Sequence, residues 1–407
     1  MTSLDLDFVR AQFPALETPW ALFDNAGGSV PARSVIERIA DYMSSVQVQH
    51  GASYALSVEA GERVAAGRDL AARLVGADPG EVVLGASSTV LVRLLAQALR
   101  PLLSEGDEVV VTNLDHETNI GPWRALEASG IVVREWRFRD ETLELHAEDL
   151  DPLLNGKTRL VAFTHCSNLI GSVHDVRAIA SKIRAAGALS CVDGVAYAPH
   201  RQVDVRELGV DLYFLSLYKT YGPHLGMLYG RRELLERMRG QSHPFVSEDS
   251  VPAKYEPGNV SHELAAGIQG VADYFEAVDA RHTSGERPPE TQIGRCYQLF
   301  EEQESLLAQP LLTFLKERPG VRLLGRSAAG VDRVPTISFV VDGRDSSEIP
   351  TALDEHKVAI RYGHFYAERA VRDLGLMEQN GVVRISMVHY NTEKEVERLL
   401  RELDRVL

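Results

Sequence analysis

The sequence predicts an α/β protein: a large domain on a mainly parallel seven-stranded sheet, then a smaller C-terminal α/β domain. Three observations carry this expectation. Seven short apolar runs alternate with helical patterns up to about residue 230. A polar, breaker-rich stretch, "ARHTSGERPPE" at 280–290, is followed by a second, shorter alternation. And 407 residues at 44% apolar content suffice for two cores of unequal size.

The strand-like runs are "VVLG" (82–85), "EVVVTN" (108–113), "IVVREW" (131–136), "RLVAFTH" (159–165), "LSCVDG" (189–194), "LYFLS" (212–216) and "LGMLYG" (225–230). Helical stretches such as "STVLVRLLAQAL" and "DVRAIASKIRAAG" separate most of them, the pattern of parallel strands joined by crossovers. The last two runs are joined by a short turn, so one of them should run antiparallel. Past the breaker stretch come a long helical segment and the strand-like "VPTISFVV", "VAIRYG" and "VVRISMV". The terminal "TEKEVERLLREL" has capping-box spacing at Thr392 and Glu395 and one apolar stripe of Val396, Leu399, Leu400 and Leu403. The expected division is a large domain over 20–285, with 1–19 and 286–407 forming the small one.

A net charge of −15 disfavours nucleic acid or an anionic membrane as the main partner. The opening "MTSLDLDFVRAQFPALE" is acidic without an apolar core, and no apolar stretch approaches a membrane span. Cys166, Cys191 and Cys296 are far apart and show no CxxC spacing, so neither a disulfide framework nor a structural metal site is expected. A cytoplasmic protein is the expectation.

Ligands of open parallel sheets bind at the carboxyl ends of the strands. There the sequence places Ser87, Ser88 and Thr89 at a helix start suited to a phosphate, and His116, Asn168 and Asp193 after or at strand ends. "LSLYKTYG" adds Ser216, Tyr218 and Lys219. A lysine between two buried-looking strands costs desolvation energy unless it is used. No G-x-G-x-x-G follows a strand, which leaves a nicotinamide or flavin reading without an anchor, and no GxxxxGK[ST] occurs, which removes the P-loop reading. Pyridoxal 5'-phosphate fits instead: it needs a Schiff-base lysine, a carboxylate at the pyridinium nitrogen, a phosphate cup and a flat group on the ring. Lys219, Asp193, Ser87 to Thr89 and His116 supply these four.

With those residues in view, the chain resembles the cysteine desulfurase-like branch of the class V aminotransferases, which implies fold type I of the pyridoxal phosphate enzymes. The resemblance runs from "FDNAGGSVP" to "HYNTEKEVERLL". "DHETNIGPW" resembles the ring-stacking segment and implies His116 over the pyridine. "HCSNLIG" implies that Asn168 contacts the phenolic oxygen. "SLYK" stands where the family often has Ser-x-His-Lys, with Tyr218 still offering a hydroxyl to the phosphate. "EPGN" with His262 resembles the loop that reaches into the partner subunit's site, which implies a homodimer. "VVRISMVHYNT" implies that Arg384 grips the substrate carboxylate, for which a planar guanidinium is suited. Asn25, Tyr54 and His364 are further candidates for the substrate side, with Phe365 beside them.

Two departures from the family bear on the reaction. In desulfurases the loop matching "IRYGHFYAERAV" carries the catalytic cysteine; here that position is Tyr366, and a phenol cannot take up sulfur as a persulfide. Ala196 stands where glutamine is usual. The expectation is a homodimeric enzyme on a small amino acid, with Lys219 as base, Asp193 holding the pyridinium proton, and His116 and Tyr366 at the reacting centre. β-Elimination of the C–S lyase type leads. Transamination and racemisation or epimerisation are the nearest rivals, followed by desulfuration on another thiol such as Cys166, and by a pyridoxal-phosphate-fold binding protein without turnover.

Overall fold

The computed structural model describes residues 3–283 and 292–407. Its strands, in chain order, are β1 (Ala21–Leu22), β2 (Val82–Gly85), β3 (Glu108–Thr112), β4 (Val132–Trp136), β5 (Thr158–Thr164), β6 (Leu189–Asp193), β7 (Leu212–Ser216), β8 (Gly226–Gly230), β9 (Val321–Leu324), β10 (Thr336–Val341), β11 (Val358–Ala359), β12 (Arg361–Gly363) and β13 (Val382–Ser386). Seven form one sheet in the order β2-β8-β7-β6-β5-β3-β4. Only β8 runs against its neighbours, β2 and β7; the other pairings are parallel. The sequence expectation of a mainly parallel seven-stranded sheet therefore holds, and the short turn after Lys219 is what reverses β8.

Both faces of this sheet are covered, and the strands show why their apolar runs are continuous. Successive side chains alternate between faces. Val110, Val161, Phe163, Val192, Tyr213 and Leu215 enter one core. Val109, Val111, Leu160, Ala162, Cys191, Leu212 and Phe214 enter the other. The helix Ser88–Leu99 buries Leu91, Val92, Leu95 and Leu99 on one stripe, and Val176–Ala185 buries Val176, Ile179, Ala180 and Ile183.

The second sheet is antiparallel, in the order β12-β13-β10-β9. Its Ile337, Phe339, Val383 and Ile385 pack with Val396, Leu399 and Leu403 of the terminal helix Glu393–Val406. That helix opens on the capping box read from sequence: Glu395 N–H donates to Thr392 Oγ1 at 3.1 Å, and Thr392 N–H to Glu395 Oε2 at 2.9 Å. β9 carries no strong strand signal in "VRLL" and was not expected. "VAIRYG" splits into β11 and β12, because β11 pairs in parallel with β1 while β12 pairs with β13.

The junction expected at 285/286 lies outside the described residues. After it, the long helix Gln292–Glu317 serves both units. Ile293, Cys296, Tyr297 and Phe300 join the core beneath the large sheet, and Leu307, Leu311, Leu312 and Leu315 join the small one. The packing of the N-terminus departs from the expected division at 19/20. Val9, Phe13 and Leu16 bury against the large core, whereas Ala21 and Phe23 enter the small one. The reason is long-range pairing, β1 to β11, which residue composition does not encode. Among the described residues, no helix is long and apolar enough to cross a membrane.

Candidate active site

Five strands end at one cavity of about 510 Å³. After β2 come Ser87, Ser88 and Thr89; after β3, His116; after β5, Asn168; at the end of β6, Asp193; after β7, Ser216, Tyr218 and Lys219; all of them line it. Tyr366 closes one side, and Cys166, Ala196, Arg93, Glu117 and His224 are among the other wall residues. A cavity of this size lies in the range of small-ligand sites.

The helix Ser88–Leu99 presents its first turn to the cavity. Ser87 caps it by accepting from Val90 N–H at 3.2 Å, so the N–H groups of Ser88 and Thr89 have no intrahelical acceptor. The Ser88 hydroxyl is spent on structure, lying 2.8 Å from Leu215 O and 2.8 Å from Ser216 Oγ, which ties the helix start to the end of β7. Thr89 Oγ1 pairs with Thr118 Oγ1 at 2.7 Å. Gly226 lets β8 pass beneath this cup: a Cβ there would lie 2.3 Å from the Ser87 carbonyl carbon and 2.4 Å from Ser88 N.

Lys219 is 8% exposed, and its ammonium donates to Ala26 O at 2.6 Å. Burial, helped by the Arg384 charge, pulls its pKa down to about 8. Asp193, buried at the cavity wall, accepts from Val195 N–H at 2.9 Å. Burial pushes its carboxyl up to about 6, while that N–H and Lys219 act in the opposite direction. His116 Nδ1 accepts from Thr118 N–H at 3.0 Å, so the neutral ring carries its proton on Nε2. Burial, then the charges of Lys219 and Arg384, pull the His116 pKa down to about 3. An uncharged imidazole thus lies in the cavity wall, 5.0 Å from the Tyr366 ring, centroid to centroid. Beneath it Asp115, held by Asn119 Nδ2 at 2.7 Å, is pushed up to about 8 by burial.

Asn168 faces two ways. Its Nδ2 donates to Phe365 O at 2.8 Å, and its own carbonyl accepts from Arg384 Nη1 at 3.0 Å. Arg384 does not line the cavity; it is 2% exposed, and Nη2 donates to Asp24 Oδ1 at 3.0 Å. Burial pulls its pKa down to about 10. Four expected residues lie elsewhere in the chain. Asn25 spends its amide on Leu22 O, Ser386 O and Asn391 Oδ1, each at 3.1 Å, and accepts from the Tyr390 hydroxyl. Tyr54 is 51% exposed, His364 is exposed, and His262 packs its ring against His50 at 4.6 Å. Sequence reasoning missed Asp24, the counter-ion of Arg384, and the Ala26 carbonyl that holds Lys219. Both lie in the "FDNAGG" segment that supplied Asn25, but only long-range folding selects them.

The donor set fits pyridoxal 5'-phosphate. A buried amine, a buried carboxylate and a neutral flat ring surround the cavity, and hydroxyls and helix N–H groups form a cup at one end. Sequence comparison agrees. The sequence model of the family described as Aminotransferase class-V matches residues 21–292 and 295–399. The chain is 39% identical to the aminotransferase-like protein FGM3 of Gibberella zeae, over 100% of this chain and 99% of that protein. It is 31% identical to a cysteine desulfurase of Pectobacterium carotovorum, covering 99% and 98% of the two chains. The apo structure of a cysteine desulfurase from Thermococcus onnurineus superposes with a TM-score of 0.87 at 26% identity, covering 100% of this chain and 98% of that one.

Proposed function

The chain belongs to the class V aminotransferase family and is a pyridoxal 5'-phosphate enzyme of fold type I; within that family, we propose that it catalyses β-elimination on a small amino acid, with a sulfur leaving group as the leading case. One observation carries the choice. The cavity gathers the lysine and carboxylate that elimination needs, but Tyr366 stands on the covering loop and Cys166 is the one thiol on the described wall. Cys166 is 1% exposed, and burial pushes it up to about 12. Burial does the same to Cys296 and pushes Cys191 well above its ordinary value. A persulfide requires a thiolate nucleophile, which none of the three can present near neutral pH.

Ser87, Thr89, Ser216 and Tyr218 would hold the phosphate, Asp193 the ring nitrogen, and His116 one face of the ring, with Lys219 as the covalent attachment. The bound cofactor supplies an electron sink that acidifies the substrate's Cα–H. Arg384 would bind the substrate carboxylate and fix which Cα bond faces Lys219. Lys219, with its pKa near 8, is poised to take the Cα proton and to return one to the departing sulfur. The Cα–H electron pair forms the new double bond as the Cβ–S bond breaks. Sulfide leaves, and hydrolysis yields pyruvate and ammonia. Tyr366, on the cavity wall, would cover the opening with its ring and offer its hydroxyl as a hydrogen-bond donor to the substrate or leaving group.

A homodimer is proposed as the working form, with segment 256–262 completing the partner's site. This segment lines a second cavity of about 370 Å³ that shares His224 with the first.

The test is incubation of the holoenzyme with cysteine, cysteine sulfinate and alanine while following pyruvate, sulfide and amino transfer. Equal amounts of pyruvate and sulfide from cysteine are expected. Formation of alanine from cysteine, or amino transfer from alanine to a 2-oxo acid without pyruvate-plus-sulfide release, would contradict it.

A further inference from the structure

Arg384 is covered. The Phe365 ring stands over it, with the guanidinium carbon 3.7 Å from the ring centroid. Arg361 approaches the same ring at 5.8 Å. Asp24 links the two arginines, accepting from Arg384 Nη2 at 3.0 Å and from Arg361 Nη1 at 3.3 Å. The third guanidinium nitrogen, Arg384 Nε, is buried and has no hydrogen-bond partner. A buried N–H left unpaired is costly, and it marks an edge built to receive an acceptor.

We propose that Phe365 is a gate over Arg384, and that the substrate's α-carboxylate displaces it. Phe365 and Asp24 are then the residues that decide which ligands gain the arginine. This rests on the reading of Arg384 as the carboxylate site. Bidentate capture of a carboxylate uses Nε together with Nη2. Nε is unoccupied and Nη2 already serves Asp24, so an incoming carboxylate completes the contact at Nε and shares or takes over Nη2 from Asp24. The exchange keeps a negative group beside a buried cation in both states, which avoids stranding its charge. The face of the guanidinium is traded as well, from the Phe365 ring to the space the ligand needs.

The covering segment is suited to letting go. Gly363, Phe365 and Tyr366 have φ of 128°, 50° and 59°, and the two non-glycine residues sit in the left-handed region that side chains disfavour. Two hydrogen bonds hold the segment down: Asn168 Nδ2 to Phe365 O at 2.8 Å, and Glu117 N–H to Tyr366 O at 2.8 Å. Asn168 lines the cavity, so a ligand there offers its amide a competing acceptor. One of the two bonds that keep the gate shut is therefore one a bound ligand draws on.

The test uses α-aminoisobutyrate, an amino acid without a Cα hydrogen, with isopropylamine as the same skeleton lacking the carboxylate. Binding to the holoenzyme is measured by calorimetry. Phe365→Ala should bind α-aminoisobutyrate about threefold to tenfold more tightly, because the fraction of competent, uncovered arginine rises. Phe365→Tyr, which keeps the ring, should match the parent, and isopropylamine binding should be indifferent to all variants. In the parent protein, backbone hydrogen exchange over 364–367 should speed up when α-aminoisobutyrate is added. Weaker or unchanged binding by Phe365→Ala, or slowed exchange in the parent, would overturn the gate. If Arg384→Ala keeps full affinity, the carboxylate reading of Arg384 falls and the gate with it. If Arg384→Ala loses affinity while Phe365→Ala gains none, the gate alone falls.

Discussion

The side chains beneath the cavity and the segment that covers it are held in place by different means. Asp193, Lys219, His116 and Asn168 follow strands buried on both faces, so each is fixed by the sheet itself. Gly363 to Tyr366 leave a three-residue edge strand, β12, and are held by a ring on a guanidinium and two hydrogen bonds to the large domain. The floor pays for chemistry in desolvation: a lysine drawn down to about 8 and a carboxyl pushed up to about 6. The cover carries backbone in the left-handed region, and in the proposed gate it gives way to the substrate carboxylate. Under the proposed β-elimination, bond-breaking belongs to the floor and selection to the cover, and substitutions on the two sides should separate accordingly.

The largest effect belongs to Lys219. Lys219→Ala should abolish the borohydride-reducible visible absorbance of the holoenzyme and lower turnover by about 10²–10⁴-fold, the usual worth of a positioned acid–base group. Persistence of the reducible band would remove Lys219 from the floor.

Asp193 should show the cost of the floor in stability. Its folded pKa is raised from 3.8 to about 6. A raised pKa means the native state binds the proton more tightly, so this stabilisation is complete below pH 4 and lost as pH rises through 6. Asp193→Asn should therefore stabilise the cofactor-free protein at pH 7.5 by on the order of 3 kcal/mol, with the gain fading toward pH 4. The same change should cripple turnover. Denaturant melts across that range test the first statement; a gain that grows on acidification would refute it.

These floor residues were legible in the sequence because strand patterns end at chemistry-bearing side chains, and buried runs such as "LSCVDG" and "LYFLS" leave little doubt where an end lies. The cover was legible only in part. Tyr366 and Arg384 were identified by resemblance, but the Phe365–Arg384 contact joins separate segments of the small domain, and Asn168 meets Phe365 across 197 residues. No local pattern encodes such meetings. Asn25 misled for a related reason. A polar residue in a site-forming segment can spend its donors on backbone carbonyls, and that is visible only once the chain is folded.

Arg384→Ala should weaken carboxylate-bearing substrates by about 1.5–3 kcal/mol, roughly ten- to a hundredfold in affinity, with cofactor content unchanged. Loss of cofactor instead would move Arg384 from selection to the floor. Smaller still, Tyr366→Phe should lower turnover by roughly two- to tenfold, the worth of one neutral hydrogen bond, and leave the visible spectrum intact. A full-rate variant would reduce Tyr366 to a purely steric cover.

The central claim is that the floor breaks the bond to sulfur and no protein thiol receives it. Intact-protein mass spectrometry after brief treatment with cysteine tests this directly, with peptide mapping of Cys166, Cys191 and Cys296. The account predicts an unchanged mass while pyruvate and sulfide accumulate. A stoichiometric added sulfur on any of the three cysteines would contradict it and make the protein a desulfurase acting through an unexpected thiol.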